Sequence, residues 1–228
     1  YNSKPFLVNK HLKRLRSSLE LVGMRKDFQD IENLEQIMFE LISKNEYVNH
    51  FFYVHITRGY QSSRNHVYSE NIKHTVLVMG EEYKVFSKDK LEEGFKGCVR
   101  DDFRWMKSNI KSISLLGNVM LKNYAAQHGF YETLLVRNKK LTEGSASNIF
   151  IVKNGQVMTP NLGVELLPGV TRDLLIELFQ NDNIEVNYNF SYDRDLDYSN
   201  YDSINTVFGF NKFVTSFDYI TENHDFGN

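Results

Sequence analysis

Cysteine is nearly absent. Cys98 stands alone among 228 residues, which excludes an internal disulfide and any cysteine-rich zinc site and fits a reducing compartment, here the cytoplasm. The scattered histidines, His128 among them, show no His-x-x-x-His pair, so no metal is expected. Cys98 has only Arg100 as a basic neighbour in its segment and reads as a packed core thiol. Proline is scarce (Pro5, Pro160 and Pro168), and no Gly/Ser-rich linker, repeat or low-complexity tract interrupts the chain. No run of about 18 uncharged apolar residues exists to cross a membrane as a helix. An excess of one charge is also missing. Lys plus Arg number 27 against 29 Asp plus Glu, a net of −2, which argues against a nucleic-acid protein held by a global positive field.

What is present is enough for a core. Hydrophobic residues make up 41% of the chain, with 17 Phe, 13 Tyr and 1 Trp, which rules out disorder. A chain of this size buries roughly 70–75% of its unfolded surface. The first residue is Tyr1, and no basic start with an apolar run follows it, so the chain is expected to lack both a signal peptide and the protein's natural start.

Phe6-Leu7-Val8 reads as a strand or strand end. Asn9 then caps a helix with Leu12, Leu15, Leu19 and Val22 at helical spacing, closed by Gly23. A second amphipathic helix covers 31–41. Strands are expected at 51–57 and 75–79, with a polar loop over 60–70 between them. The charged stretch 81–93 is the best domain boundary. It suggests an N-terminal domain over 1–83, a linker over 84–90 and a C-terminal domain over 91–228. Beyond it come a strand near 97–100, a helix over 115–128 and strands at 133–137 and 148–153. A turn at 153–156 makes a hairpin to 157–159. A helix over 171–179, a strand near 184–186 and a final β pair around 206–217 complete the chain. The elements lack a parallel βαβ rhythm, so the fold class is α+β.

Four segments carry possible chemistry. Lys111 sits between Ile110 and Ile113, strand-like apolar neighbours. In an enclosed cavity, desolvation would free its amine as a nucleophile, although a surface lysine is the commoner outcome. Glu143 stands alone in a turn of small residues, Gly144-Ser145-Ala146-Ser147, and could present its carboxylate to a flat ligand; the plainer alternative is a solvated turn acid. Thr171, after Pro168-Gly169-Val170, occupies an N-cap position where backbone N–H groups can hold phosphate, or simply caps a helix. Among the bases of Lys13-Arg14-Leu15-Arg16, an arginine could grip the same phosphate, or the run is a solvated face. Together they describe an amine, an acid for a ring nitrogen and an anion clamp.

In these segments the chain resembles the class IV (fold type IV) pyridoxal-phosphate enzymes, which include D-amino acid aminotransferases, branched-chain aminotransferases and aminodeoxychorismate lyases. The run from Arg104 through Trp105, Lys107, Lys111 and Gly117 to Val119 is similar to the family's catalytic-lysine segment. Thr142 to Asn148 is similar to its glutamate segment, Gly169 to Asp173 to its phosphate segment, and Asn9 to Leu15 to the segment that carries a phosphate-binding arginine. The resemblance implies two domains, a small α/β N-terminal one and a larger pseudo-barrel, with pyridoxal 5'-phosphate between them. It implies that Lys111 forms the Schiff base and shuttles the proton and that Glu143 keeps the pyridine nitrogen protonated. Arg14 and the Val170 and Thr171 backbone would hold the phosphate, with Leu167 near the ring and Gly209 offering a further N–H.

The loop Arg64-Asn65-His66 matches the Arg-x-His that binds the substrate carboxylate in D-amino acid aminotransferases, reaching in from the neighbouring subunit of a homodimer. A guanidinium and an imidazole at this spacing make a small anion trap. The implied activity moves an amino group between D-amino acids, D-alanine and D-glutamate, and 2-oxo acids. A lyase acting on aminodeoxychorismate and a branched-chain L-amino acid aminotransferase are the alternatives on the same scaffold. Three features depart from the pattern. Ala146 stands where a serine is usual, and Phe208-Gly209-Phe210-Asn211 replaces a Ser/Thr-rich phosphate turn. The family's Gly-Asp-Gly strand with its tyrosine would lie upstream of Tyr1.

Overall fold

The structure, a computed structural model, describes residues 1–24, 31, 33–153, 155–188, 203–207 and 216–217. The chain divides into two compact units, Tyr1–Val85 and Phe86–Asn228.

In the first unit, α1 (Val8–Leu21) and α2 (Leu34–Ser43) are followed by β1 (His50–Thr57) and β2 (Thr75–Glu82). The two strands pair antiparallel from His50↔Glu82 to Thr57↔Thr75. The helical spacing of Leu12, Leu15, Leu19 and Val22 does what it predicts, because one stripe of α1 joins Leu34 and Met38 of α2 against Val54, Ile56, Val76 and Val78. The pleat sends the alternate set, Phe51, Tyr53, Leu77 and Met79, to the exposed face. The N-terminal strand expectation fails. Leu7 turns left-handed (φ 52°), its carbonyl accepts from the His11 amide at 3.1 Å, and the helix starts at Val8, placing Asn9 inside it. Gly23 (φ 72°) closes α1 as expected, its amide donating to the Glu20 carbonyl.

The second unit opens with a helix the sequence reading missed, α3 (Lys88–Glu93), capped by the Ser87 hydroxyl. Then come β3 (Lys96–Asp101), α4 (Leu116–Gln127), β4 (Glu132–Arg137), β5 (Lys140–Gly144), β6 (Asn148–Lys153), β7 (Gln156–Met158), α5 (Val170–Asn181), β8 (Val186–Asn187), β9 (Ser203–Val207) and β10 (Ser216–Phe217). One four-stranded sheet runs β10-β3-β4-β5 and the other β8-β7-β6-β9. β3 pairs parallel with both β10 and β4, whereas β4 with β5 and β6 with β7 are antiparallel. The expected final β pair is therefore not a pair, since β9 completes the second sheet on β6 and β10 the first on β3. Leu134, Val136 and Leu141 from the first sheet meet Ile149, Ile151 and Met158 from the second, and this contact is the core of the unit. The mixture of helices with parallel and antiparallel strands is the α+β class expected from the sequence.

Candidate functional site

Glu143 is not a solvated turn acid. It lies near the end of β5, where the sequence predicts a turn, and only 5% of its surface is exposed. Its Oε1 accepts from Arg104 Nη1 at 2.6 Å. Its Oε2 accepts from the Leu167 amide at 2.9 Å and from Asn148 Nδ2 at 3.3 Å. Burial pushes the carboxyl up from 4.5 to about 7, while the Arg104 guanidinium and the Leu167 amide oppose that rise. The carboxylate keeps acceptor capacity beyond these three donors, since two oxygens offer about four lone-pair sites.

The neighbouring turn is built around a second buried acid. Glu132, the first residue of β4, is fully buried. It accepts from the Ser147 hydroxyl at 3.0 Å, the Thr133 amide at 2.8 Å and the Ser145 hydroxyl. Asn118 Nδ2, in the first turn of α4, donates to the Ser145 carbonyl at 2.7 Å. Ser145 and Ser147 thus point inward and Ala146 outward, so the alanine that departs from the family pattern occupies the exposed position of the turn.

The Leu167 to Thr171 segment is tied to the same acid. Asn148, the first residue of β6, donates through Nδ2 both to the Leu167 carbonyl at 2.9 Å and to Glu143. Three residues on, α5 begins. Its N-cap is Gly169 and not Thr171, which is inside the first turn. Gly169 makes no side-chain cap, and Val170 and Thr171 open the helix at the positive end of its dipole. Glu143, Leu167, Val170 and Thr171 are therefore one local assembly, joined by Asn148.

Lys111 sits in the same unit but not in a strand. It is exposed, in the loop that links β3 to α4 beside the buried Ile110. The loop's isoleucines mimic a strand in sequence, but no partner strand pairs with them among the described residues. Arg14 is half-buried on α1 and belongs to the first unit, as do Arg64 and His66, both exposed in the loop between β1 and β2. Arg58 ties the start of that loop: its Nη2 donates to the Val22 carbonyl at 2.6 Å, and its guanidinium lies 3.6 Å from the centre of the Tyr68 ring within the loop. Gly209 and the 208–211 turn lie outside the described residues. Cys98 is buried, its thiol raised by burial.

Sequence reasoning assigned no role to Arg104, Asp102, Asn148 or Glu132. The signal for the first two was the Asp-x-Arg spacing directly after a strand, where a short acid can hold the arginine two residues on. Glu132 gave no signal, because an acid opening a strand looks solvated.

A family model described as amino-transferase class IV matches residues 1–209. The chain is 32% identical over 187 residues to the D-alanine aminotransferase of Listeria monocytogenes serotype 1/2a (strain 10403S), an alignment covering 82% of this chain and 64% of that protein. The chain thus spans a little under two thirds of the length of that curated relative. Its fold is similar to a putative 4-amino-4-deoxychorismate lyase from Legionella pneumophila subsp. pneumophila str. Philadelphia 1, with TM-score 0.80, 18% identity and coverage of 95% of this chain and 80% of that one. It is also similar to the branched-chain amino acid aminotransferase from Thermobaculum terrenum in its PLP form, with TM-score 0.75, 21% identity and coverage of 93% of this chain and 70% of that one.

Proposed function

This chain belongs to the class IV aminotransferases, and from that premise we propose that it is a pyridoxal-phosphate-dependent transaminase exchanging the amino group between D-amino acids and 2-oxo acids. The observation that carries the reading is the 32% identity to a D-alanine aminotransferase across most of the chain.

The donor set in the second unit fits the cofactor. A phosphate needs N–H donors and positive potential, and the first turn of α5, where Val170 and Thr171 stand at the positive end of the helix dipole, is such a place. A pyridine nitrogen needs a buried acid with acceptor capacity to spare, which Glu143 is. When bound, pyridoxal phosphate supplies an electron sink for the bonds at the amino acid's Cα.

The residues of this chain then have distinct tasks. Lys111 Nζ would be the amine that binds the cofactor, and the same amine would take up and return the Cα proton of the amino acid. Glu143 holds a proton on the ring nitrogen by offering a negative oxygen to it. Leu167 donates its amide to Glu143 and would lie beside the ring, so one residue would both pack against the cofactor and restrain the acid. Arg64 and His66 bind the substrate carboxylate, offered to the neighbouring protomer of a homodimer by an exposed loop. Residues 91–228 form the cofactor-binding domain, after an N-terminal domain over 1–83.

The test is one half-reaction. Full-length protein loaded with pyridoxal phosphate is mixed with excess D-alanine and no 2-oxo acid, and the visible band is followed. Stoichiometric loss of the band with D-alanine but not L-alanine is expected. A band unchanged by both enantiomers refutes the transaminase and makes aminodeoxychorismate the next substrate to try.

A further inference from the structure

We propose that Arg104 is a positioning residue that, held by Asp102, fixes the Glu143 carboxylate in orientation and favours its ionised form, and that it acts on the cofactor only through that carboxylate. The inference rests on the assignment of Glu143 to the ring nitrogen made above.

Arg104 is almost wholly buried and spends its guanidinium on two acids at once. Nε and Nη2 fork onto the two oxygens of Asp102, at 2.9 and 3.0 Å, and Nη1 is left to reach Glu143 Oε1 at 2.6 Å. Nη2 also donates to the Glu165 carbonyl at 3.2 Å, and the backbone amide of Arg104 donates to Asp102 Oδ1 at 3.1 Å. Asp102 is itself immobilised by the Thr142 hydroxyl at 3.0 Å and by Arg137 Nη2 at 3.0 Å. Thr142 and Glu143 are consecutive in β5, so the Asp102–Arg104 pair registers two adjacent residues of that strand. On the far side the arginine lies against Gly117, where a Cβ would meet its Cγ at 3.1 Å and its Cα at 3.5 Å. That glycine opens the first turn of α4, a few residues after Lys111.

An arginine used only for packing would not need this fork. Bidentate pairing with Asp102 removes the rotational freedom a lone Arg–Glu pair would keep, which gives the Glu143 oxygens one orientation. The charges balance as two acids, Asp102 and Glu143, against two bases, Arg104 and Arg137. The other groups facing Glu143 are neutral donors, Asn148 Nδ2 and the Leu167 amide, while Glu132 approaches the turn from across Gly144. Removing Arg104 leaves two carboxylates facing one guanidinium. Burial already favours the protonated form of Glu143, and a protonated carboxyl cannot hold a proton on a ring nitrogen.

The experiment is a double-mutant cycle on the apoprotein titrated with pyridoxal phosphate. It compares wild type, Arg104→Met, Glu143→Gln and the double variant, reading cofactor affinity and the pH midpoint of the bound cofactor's visible spectrum. Glu143→Gln and Arg104→Met are each expected to weaken binding about tenfold or more. Both should move the spectral midpoint in the same direction, by about one pH unit. In the Glu143→Gln background, Arg104→Met should change neither quantity by more than about twofold, because its route is already cut. Arg104→Lys, which keeps the charge and loses the fork, is expected to fall between wild type and Arg104→Met. It carries the same comparison if the methionine variant does not fold.

An Arg104 substitution that leaves both readouts at wild type overturns the proposal. So does one whose effect multiplies with Glu143→Gln, which marks a merely structural role. A wild type that takes up no pyridoxal phosphate, or a Glu143→Gln indistinguishable from wild type, refutes the underlying assignment and the inference with it; both are visible before any Arg104 variant is compared.

Discussion

Gly169→Ala is a one-carbon change whose cost follows mainly from one neighbour, Asn148, with Arg172 Cβ a lesser approach at 3.3 Å. The backbone there is extended (φ −75°, ψ 129°), so alanine meets no conformational penalty. Its Cβ, however, would stand 1.8 Å from Asn148 Oδ1 and 3.0 Å from Asn148 Cγ. The amide must move, and with it go the bonds from Nδ2 to the Leu167 carbonyl and to Glu143 Oε2. A neutral hydrogen bond is worth about 1 kcal/mol and one to a charged group about 1.5–3 kcal/mol, so the loss comes to about 3 kcal/mol. For a unit of this size that lowers Tm by about 6–12 °C. The assay is denaturant unfolding of Gly169→Ala, Asn148→Ala and the double variant. Once Asn148 is truncated only the 3.3 Å approach to Arg172 Cβ remains, and Gly169→Ala should cost about 1 kcal/mol, near the ordinary penalty for alanine at an N-cap. A full loss of about 3 kcal/mol in both backgrounds, or none in either, would refute the reasoning.

Three further outcomes are expected. Burial lifts Glu143 from 4.5 to about 7, so the folded protein keeps a proton that the unfolded chain releases. The stability this contributes is complete below pH 4.5 and is lost as pH rises to about 7, by about 3 kcal/mol, and Glu143→Gln should flatten that segment of the stability–pH curve measured in urea. Glu132→Ala strands two hydroxyls and an amide, Ser145, Ser147 and Thr133; a loss of about 3–5 kcal/mol is expected in urea unfolding, with a smaller loss for Glu132→Gln. Arg58→Ala frees the 60–70 loop from the end of α1 and from its stack on Tyr68. Faster amide exchange in that loop is expected, with global stability changed by less than about 1.5 kcal/mol.

Long periodic segments were legible in the sequence. The apolar stripe of α1, the alternation along β1 and β2 and the hairpin of β6 with β7 follow from local pattern, because each buries one face whatever lies beyond it. The failures have tertiary causes. β5 is a strand because β4 pairs with it, and Thr-Glu-Gly carries no strand propensity of its own. The Phe6-Leu7-Val8 strand failed because three apolar residues give no period to choose by. Four residues singled out in the sequence, Glu143, Leu167, Val170 and Thr171, lie close together in the structure. What holds Glu143 was not legible, since Arg104 and Asn148 lie 39 and 5 positions away and meet it only once three strands are in register.

The strand order has a bearing on synthesis. β3 and β6 are made well before their outer neighbours β10 and β9, which come from the last part of the chain. Until residues 203–217 leave the ribosome, both strands present a row of unpaired backbone groups, and β6 is among the most apolar segments of the unit. Closing these pairs late joins residues far apart in sequence, which is slow. Nascent chains stalled before residue 203 should therefore engage chaperones more strongly than those stalled once residue 217 has emerged.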